Sequence, residues 1–282
     1  GSTVAEVKAS DVSAKKLAEL MVGSELPSPE IHGSAKRSEV TLSLSKLTVP
    51  AESGARNLVS DVSFTLHAGE VLGIAGVEGN GQSELIEAIL GLRNYTGTVV
   101  FKGEPLDDES VSDRRDMGIG FIPEDRQRQA LLMASPLWEN RILGHQRGKP
   151  VMNGVLIDRK ATMNDTVRIM QEFDVRAPGP DTLALALSGG NQQKVVIGKW
   201  LEIGPGLVLL DDPTRGVDIG AKVELFRLVR EIAAEGKGIL FRSTEISELT
   251  TLCDRIVVVK DGASTREVSG VDDAELIKLI NE

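Results

Sequence analysis

The sequence predicts an α/β protein built on a mainly parallel sheet, and three observations carry that prediction. Short apolar runs recur along the chain (VLGIAG, TVVF from Thr98 to Phe101, GIGFIP, LVLLDD, GILF and RIVVVKDG), with helical segments between them. Runs without polar alternation suit strands buried on both faces, the condition of a parallel sheet covered by helices. One of these runs, VLGIAG, feeds directly into a glycine-rich loop that opens a helix.

Each element follows in order. Residues Ala14 to Met21 carry a short helical pattern, and a Pro-, Gly- and Ser-containing stretch runs from Gly23 to Ser38, so 1–38 reads as a tail and linker. Gly1-Ser2 looks like a cloning scar, which points to a piece excised from a longer protein. From Glu39 the pattern alternates, as VTLSLSKL and LVSDVSFTLHAGE, and predicts antiparallel strands leading to the buried VLGIAG strand. Between Pro136 and Leu187 helical spacing takes over, as in Met163, Val167, Met170 and Phe173, and predicts a helical insert over about 136–187 within a domain spanning 39–282. No internal repeat interrupts this order.

Composition narrows the function. The 282 residues can bury one main core, and 32 Lys+Arg against 42 Asp+Glu give a net charge of −10. No window concentrates basic residues, so the charge pattern argues against a nucleic-acid partner. Cys253 is the single cysteine, which excludes an internal disulfide framework. No apolar run reaches the length needed to span a bilayer, and the chain reads as cytosolic with any membrane role peripheral.

The glycine loop carries the first chemistry. Gly76-Val77-Glu78-Gly79-Asn80-Gly81-Gln82-Ser83-Glu84 fits a phosphate-binding loop between strand and helix at every fixed position except one: Gln82 stands in place of lysine. Glycines let backbone N–H groups turn inward as an anion nest, and the helix N-terminus adds partial positive charge. The same residues also suit a tight turn without a ligand. An apolar strand ending in Asp211-Asp212 follows, an arrangement that holds Mg²⁺ through one acid and orients water with the other; Asp212-Pro213-Thr214 equally suits a helix N-cap. Before it, Leu187-Ser188-Gly189-Gly190-Asn191-Gln192-Gln193-Lys194 forms a second glycine-rich loop opening a helix.

LSGGNQQK, at that place between loop and acidic strand, resembles the signature motif of ABC ATPases. The resemblance implies a core with an antiparallel β subdomain and a helical subdomain, ATP and Mg²⁺ as cofactors, and head-to-tail pairing in which one subunit's phosphate loop faces the other's signature. In those terms GIGFIPEDR resembles the loop linking core to helical subdomain, the stretch to Gly216 and Asp218 the D-loop, and FRSTEISEL the switch strand. EDR, LSGGNQQK, PTRGVD and STE together are similar to the sugar and nucleoside importers whose ATP-binding subunit fuses two such domains. The chain from Glu39 then resembles the second domain, and residues 1 to 23 the tail of the first.

The resemblance assigns nucleotide contacts to Gly76, Gly79, Asn80, Gly81, Gln82, Ser83 and Glu84, metal contacts to Ser83 and Asp211, and catalytic positions to Asp212, Glu124 and Thr244. Those positions depart from the pattern. Gln82 lacks the lysine's charge, which predicts weak nucleotide retention. Asp212 is one methylene shorter than the usual glutamate. Thr244 replaces the switch histidine, Glu124 replaces a glutamine, and no aromatic stands near Val49, where only Arg56 offers a stacking group. Ser188, Gly189, Gly190, Asn191 and Gln192 are intact, as are Gly216 and Asp218. The resemblance therefore implies a degenerate site that hydrolyses ATP poorly or not at all, beside a signature that completes the first domain's ATP site. Its implied partners are that first domain, transmembrane permease subunits and, indirectly, a solute-binding receptor, at the cytoplasmic face of the membrane. The alternatives are a stand-alone ATPase, a soluble ABC protein acting on ribosomes or DNA, and an interaction module that does not hydrolyse nucleotide.

Other residues read as structural. His32, His67 and His145 lack metal-like spacing, Cys253 reads as a small buried hydrophobe, and Trp138 and Trp200 read as packing residues. The DRQRQ run reads as a solvated loop or a contact with the membrane subunits.

Overall fold

The computed structural model describes residues 5, 7, 35–51, 56–144, 151–153, 156–202 and 204–282. The helical pattern at Ala14 to Met21, the linker to Ser34, His32 and His145 lie outside the described residues.

Strands β1 (Val40–Pro50) and β2 (Asn57–His67) pair antiparallel, with Leu42 opposite Leu66 and Leu44 opposite Phe64. Burial in β1 alternates through Leu42 and Leu44, then resumes at Leu47 and Val49. A register shift between Leu44 and Leu47, with Lys46 at φ 49°, absorbs the extra residue and returns the apolar side chains to the core face. β3 (Val71–Ala75) is buried along its whole length and runs into α1 (Gln82–Leu90).

β4 (Thr96–Phe101) and β5 (Glu104–Pro105) complete a four-stranded antiparallel sheet of order β2-β1-β4-β5. The TVVF run was expected among the parallel strands; instead it pairs antiparallel with β1, Leu42 opposite Phe101 and Leu44 opposite Val99. Its burial explains the difference: Val99 and Phe101 are buried while Thr98 is exposed, the pattern of a strand with one covered face.

α2 (Val111–Asp116) starts with a capping box in which Ser110 Oγ accepts from the Asp113 N–H and the Asp113 carboxylate accepts from the Ser110 N–H. It delivers Arg114, 3% exposed, whose guanidinium donates to the carbonyls of Ala88 and Ile89 at 2.9 and 2.8 Å, satisfying the C-terminal end of α1. β6 (Ile119–Ile122) then enters the main sheet.

The following segment is mostly helical: α3 (Arg126–Gln129), α4 (Leu137–Ile142) and α5 (Arg159–Glu172), with a small antiparallel pair, β7 (Met152–Asn153) and β8 (Leu156–Ile157), between the last two. Fully buried Asn140 organises its entry, accepting from the Leu132 N–H at 2.7 Å and donating to the carbonyls of Leu132, Ser135 and Pro136. α6 (Gly189–Leu201) carries Lys199, 3% exposed, whose Nζ donates to the Ala130 carbonyl at 3.0 Å. Burial, with the nearby Arg141 charge, pulls the Lys199 ammonium down to about 8.

β9 (Leu207–Asp211), α7 (Ile219–Ala234), β10 (Gly238–Arg242), α8 (Ile246–Leu252), β11 (Arg255–Lys260), β12 (Ala263–Val268) and α9 (Asp273–Asn281) follow. The six-stranded sheet has the order β12-β11-β3-β10-β9-β6, parallel except for the antiparallel edge strand β12. Its strands divide two cores by alternation. Val208, Leu210, Ile239 and Phe241 join Val196, Leu225, Leu249 and Leu276 of the helices on one face. Leu207, Leu209, Leu72, Ile74 and Leu240 join Leu85, Ile86 and Ile89 of α1 and the antiparallel sheet's Leu42, Val62 and Phe64 on the other.

Fully buried Glu70 joins the two sheets, accepting from the His67 N–H at 2.8 Å, Lys36 Nζ at 3.1 Å and Arg255 Nε at 3.0 Å. Burial opposes its charge, but Arg255, the His67 amide and Lys36 together hold its carboxyl below the ordinary value. Cys253 packs where a Cβ on Gly73 would come within 2.8 Å of its sulfur, and burial pushes its thiol upward, as a small apolar side chain requires.

Glu70→Gln should destabilise the fold by about 3 kcal/mol in chemical denaturation, since it leaves Arg255 without its buried charge partner. Because the native pKa is depressed, the wild-type advantage should persist above the carboxylate range and vanish as pH falls through it. Lys199→Met follows the same direction in a higher window. A native pKa depressed to about 8 means that the unfolded chain binds the extra proton above that pH, so wild type should gain stability relative to the variant between about pH 8 and the ordinary lysine range, by about 3 kcal/mol.

Candidate functional site

The site forms where the parallel strands end. At the end of β3 the chain enters the glycine loop: Gly79 and Gly81 adopt φ 87° and 98°, and Gly81 caps α1. The Asn80 N–H bonds the Val77 carbonyl at 3.1 Å, and the Asn80 carbonyl accepts from the Gly262 N–H, also at 3.1 Å, tying the loop to the β11–β12 turn. A Cβ on Gly81 would come within 2.4 Å of the Leu58 carbonyl, so β2 presses the loop from outside. A cavity of about 240 Å³ opens beside the loop, lined by Arg56, Leu58, Gly79, Asn80, Glu84 and Asp261 among others. Arg56, the single candidate stacking group, donates to Asp261 at 2.8 Å on this rim.

Gln82 does not point out of the nest. It is 3% exposed, its Nε2 donates to the Val77 carbonyl at 3.1 Å, and a Cβ on Gly76 would come within 2.4 Å of that nitrogen. The side chain therefore closes the loop upon itself, while Val77, Glu78 and Gly79 stay exposed. A Cβ added at Gly79 would meet nothing within 4 Å. Space at Gly79 leaves room beside the loop, and the cationic partner of a phosphate loop is absent from position 82.

At the end of β9, Asp211 and Asp212 are 8% and 3% exposed and take different roles. Asp211 Oδ1 accepts from Arg242 Nη1 at 2.6 Å. Burial raises the Asp211 pKa, and the Arg242 charge and hydrogen bond oppose that rise. Asp212 sits at φ 44°, a left-handed backbone that Asp tolerates. Its carboxylate accepts from Thr244 Oγ1 at 2.9 Å and Ser243 Oγ at 3.3 Å. Glu124, after β6, accepts from Arg242 at 3.2 Å and pairs with Arg215. Glu124, Asp212 and Thr244 thus gather at adjacent strand ends, each carboxylate already engaged by protein.

The second glycine loop sits elsewhere on the same rim. Ser188 caps α6 and is exposed; its Oγ accepts from the Asn191 N–H at 3.4 Å and Nδ2 at 3.0 Å. A Cβ on Gly189 would come within 2.8 Å of Arg126 Nη2 and 3.1 Å of the Gly216 carbonyl, and one on Gly190 within 3.2 Å of the Ala221 Cβ, so a side chain at either position would have to displace its neighbours. Arg126 links this loop to the next: its Nη1 donates to the Arg215 carbonyl at 2.9 Å and its Nη2 to the Gly216 carbonyl at 3.4 Å. Asp218, exposed, caps α7 by accepting from the Ala221 N–H at 3.0 Å. Gln192 turns inward, 3% exposed, donating to the carbonyls of Ala184 and Leu187 at 3.3 Å, and so braces the loop from behind.

A family model for ABC transporters matches residues 59–215, which run from β2 through the glycine loop and α6 to the end of the acidic strand. This chain belongs to the ABC transporter family. Among its ABC relatives, the uncharacterized ABC transporter ATP-binding protein YphE of Escherichia coli K12 is 45% identical over 210 residues, 74% of this chain and 41% of the relative. The galactose/methyl galactoside import ATP-binding protein MglA of Clostridium perfringens strain 13 is 37% identical over 97% of this chain and 52% of its own length. The ribose import ATP-binding protein RbsA 2 of Mesorhizobium japonicum is 39% identical over 99% and 54%. The chain thus spans about half the length of the curated relatives it matches. A nucleotide-free ATP-binding cassette from an ABC transporter superposes with a TM-score of 0.71 at 24% identity, over 86% of this chain and 95% of that one. A dimeric cassette in a post-hydrolysis state with ADP and phosphate superposes with 0.70 at 23%, over 82% and 99%. The ABC fold, an α/β core with a mostly parallel sheet, an antiparallel subdomain and helices, is as the sequence predicts.

The sequence did not single out Arg242 and Glu248 of this ABC rim, and Arg126, within the run expected to be a solvated loop or a membrane-subunit contact, is only 9% exposed and bonds the Arg215 and Gly216 carbonyls. Glu248 is 1% exposed and accepts from Ser243 Oγ at 2.6 Å and Thr214 Oγ1 at 2.9 Å, clamping β10's end to the loop after β9. A lone arginine inside an apolar strand run, as in GILFR, is the signal that could have singled out Arg242, because an unpaired charge is not buried without a partner. Arg126→Met should lower stability by about 1–3 kcal/mol through the stranded carbonyls of Arg215 and Gly216. Hydrogen exchange should quicken across 188–191 and 213–218 while α9 keeps its protection.

Proposed function

We propose that this chain is an ATP-binding domain of an ABC importer for sugars or nucleosides, in which its own nucleotide site is degenerate and its signature loop completes the ATP site of a partner domain. The observation that carries the reading is the contrast between the two loops. Gln82 is folded into the glycine loop with no cationic head, and Asp212 is held by Thr244 and Ser243, so the groups that would act on a nucleotide of this chain's own are engaged inward. Ser188 and the Gly189 and Gly190 amides stand exposed or half-exposed at the N-terminus of a thirteen-residue helix, held by Arg126 and Ala221. A helix N-terminus of this kind favours an anion, which supports the reading.

In this reading ATP supplies the phosphoryl group and its free energy. On this chain the amides of Gly79 to Ser83, with Glu84 at the rim, hold phosphate weakly, and Gln82 contributes hydrogen bonding without charge. On the partner's nucleotide, Ser188 with the Gly189 and Gly190 amides faces the γ-phosphate, with Asp218 and Gly216 beside it. Asp211, at the metal position, does not fit a divalent cation, because it is bonded to Arg242.

The import names of MglA and RbsA, and the half-length match to them, support a partner domain on the same polypeptide and permease subunits beyond it, with a solute-binding receptor acting through the permease. Among the described residues no helix is long and apolar enough to cross a membrane, which is in keeping with peripheral attachment at the cytoplasmic face.

The test is ATP turnover by the chain joined to its partner ATP-binding domain. Ser188→Arg should reduce turnover by a factor on the order of 10²–10³, whereas Gln82→Ala should change it less than about twofold. Steady turnover by the isolated chain, abolished by Asp211→Ala, would sink the reading in favour of a stand-alone ATPase.

A further inference from the structure

The parallel pairing of β9 and β10 sets Arg242 directly beside Asp211. Two residues earlier on each strand, Leu209 and Leu240 lie in the core beneath α1, so strand alternation sends the Asp211 and Arg242 side chains to the face that carries the glycine loop. There Arg242 Nη1 lies 2.6 Å from Asp211 Oδ1 and 3.2 Å from Glu124 Oε2, and Arg242 is only 4% exposed. A guanidinium has no acceptor to offer a cation and carries a permanent positive charge. A divalent ion approaching Asp211 meets that charge at short range in a region of reduced dielectric, and displacing Arg242 leaves a buried cation to the single remaining carboxylate, Glu124, which Arg215 already pairs.

We propose that the guanidinium of Arg242 stands in the place of a divalent cation at Asp211, so that nucleotide on the Gly76–Ser83 loop is held equally well with and without Mg²⁺. The inference rests on the nucleotide-binding reading for its second half alone. Arg242 is a positioning residue here: it neutralises Asp211 and Glu124 from within the sheet, and the loop needs no ion to bridge them to a phosphate.

Two measurements on the purified chain test this. In the first, the thermal midpoint is followed with Mn²⁺ and no nucleotide, for wild type, Arg242→Leu and Arg242→Gln. Mn²⁺ should leave wild type unmoved and stabilise the variants, in which no guanidinium neutralises the Asp211 carboxylate. Stabilisation of wild type that Asp211→Asn removes overturns the proposal, and so does indifference of all three proteins. The glutamine variant removes the charge while keeping a polar amide and serves where the leucine variant fails to fold. In the second, a fluorescent ADP is titrated in Mg²⁺ and in chelator. Wild-type affinity should agree within about twofold, and the Arg242 variants should bind about tenfold tighter with Mg²⁺ than without. A tenfold Mg²⁺ requirement in wild type overturns the inference. Absence of nucleotide binding in every protein and condition overturns its second half together with the weak-site reading, while the Mn²⁺ measurement still decides the role of Arg242.

Discussion

Burial of the parallel sheet on both faces is the constraint from which the rest follows. Along β3, β9 and β10 no residue can carry an unpaired polar group, because helices cover one face and α1 with the antiparallel sheet cover the other. Chemistry is therefore confined to the strand ends. The order β11-β3-β10-β9-β6 sets those ends in a row, so that the glycine loop, Thr244, Asp211 with Asp212, and Glu124 become neighbours although far apart in the chain. Arg242, the last residue of β10, is buried at such an end and is tolerated because Asp211 lies opposite it in register and Glu124 beside it.

Buried ion pairs and hydrogen-bonded arginines recur wherever two layers must be joined. Arg114 seals the C-terminal carbonyls of α1, Glu70 gathers Lys36, Arg255 and the His67 amide between the sheets, and Arg126 ties the signature loop to the loop after the acidic strand. Buried pairs of this kind contribute little net stability against apolar replacements of the same shape, yet removing one partner is costly. Their effect is to fix one arrangement of loops. Arg126 in particular holds the signature loop against the Arg215–Gly216 backbone.

The glycine loop and the signature loop show how the same local geometry reaches different states. Both place glycines at the start of a helix, although only the first follows a strand buried along its whole length. In the first, Gln82 returns into the loop and bonds Val77; in the second, Gln192 turns back to Ala184 and Leu187 and leaves the helix terminus clear. The difference lies in where the glutamine falls. At the first helical position its amide reaches the preceding loop carbonyl, while deeper in the first turn it reaches behind the helix.

Sequence by itself determined the fold class, the order of strand and helix, and the positions of both glycine loops, because double burial, period-two alternation and glycine spacing are local signals. It also marked Gln82, Asp212 and Thr244 as departures from the family pattern, since residue type needs no coordinates. TVVF was misplaced among the parallel strands, for a run of four apolar-leaning residues does not reveal that only Val99 and Phe101 find a covered face. Tertiary structure alone decided what each departure touches. That Arg242 meets Asp211 depends on the register between two strands separated by α7, and that Arg126 meets Gly216 depends on a loop-to-loop approach across the sheet's end. Such contacts join residues distant in sequence, and no local propensity encodes the distance between them.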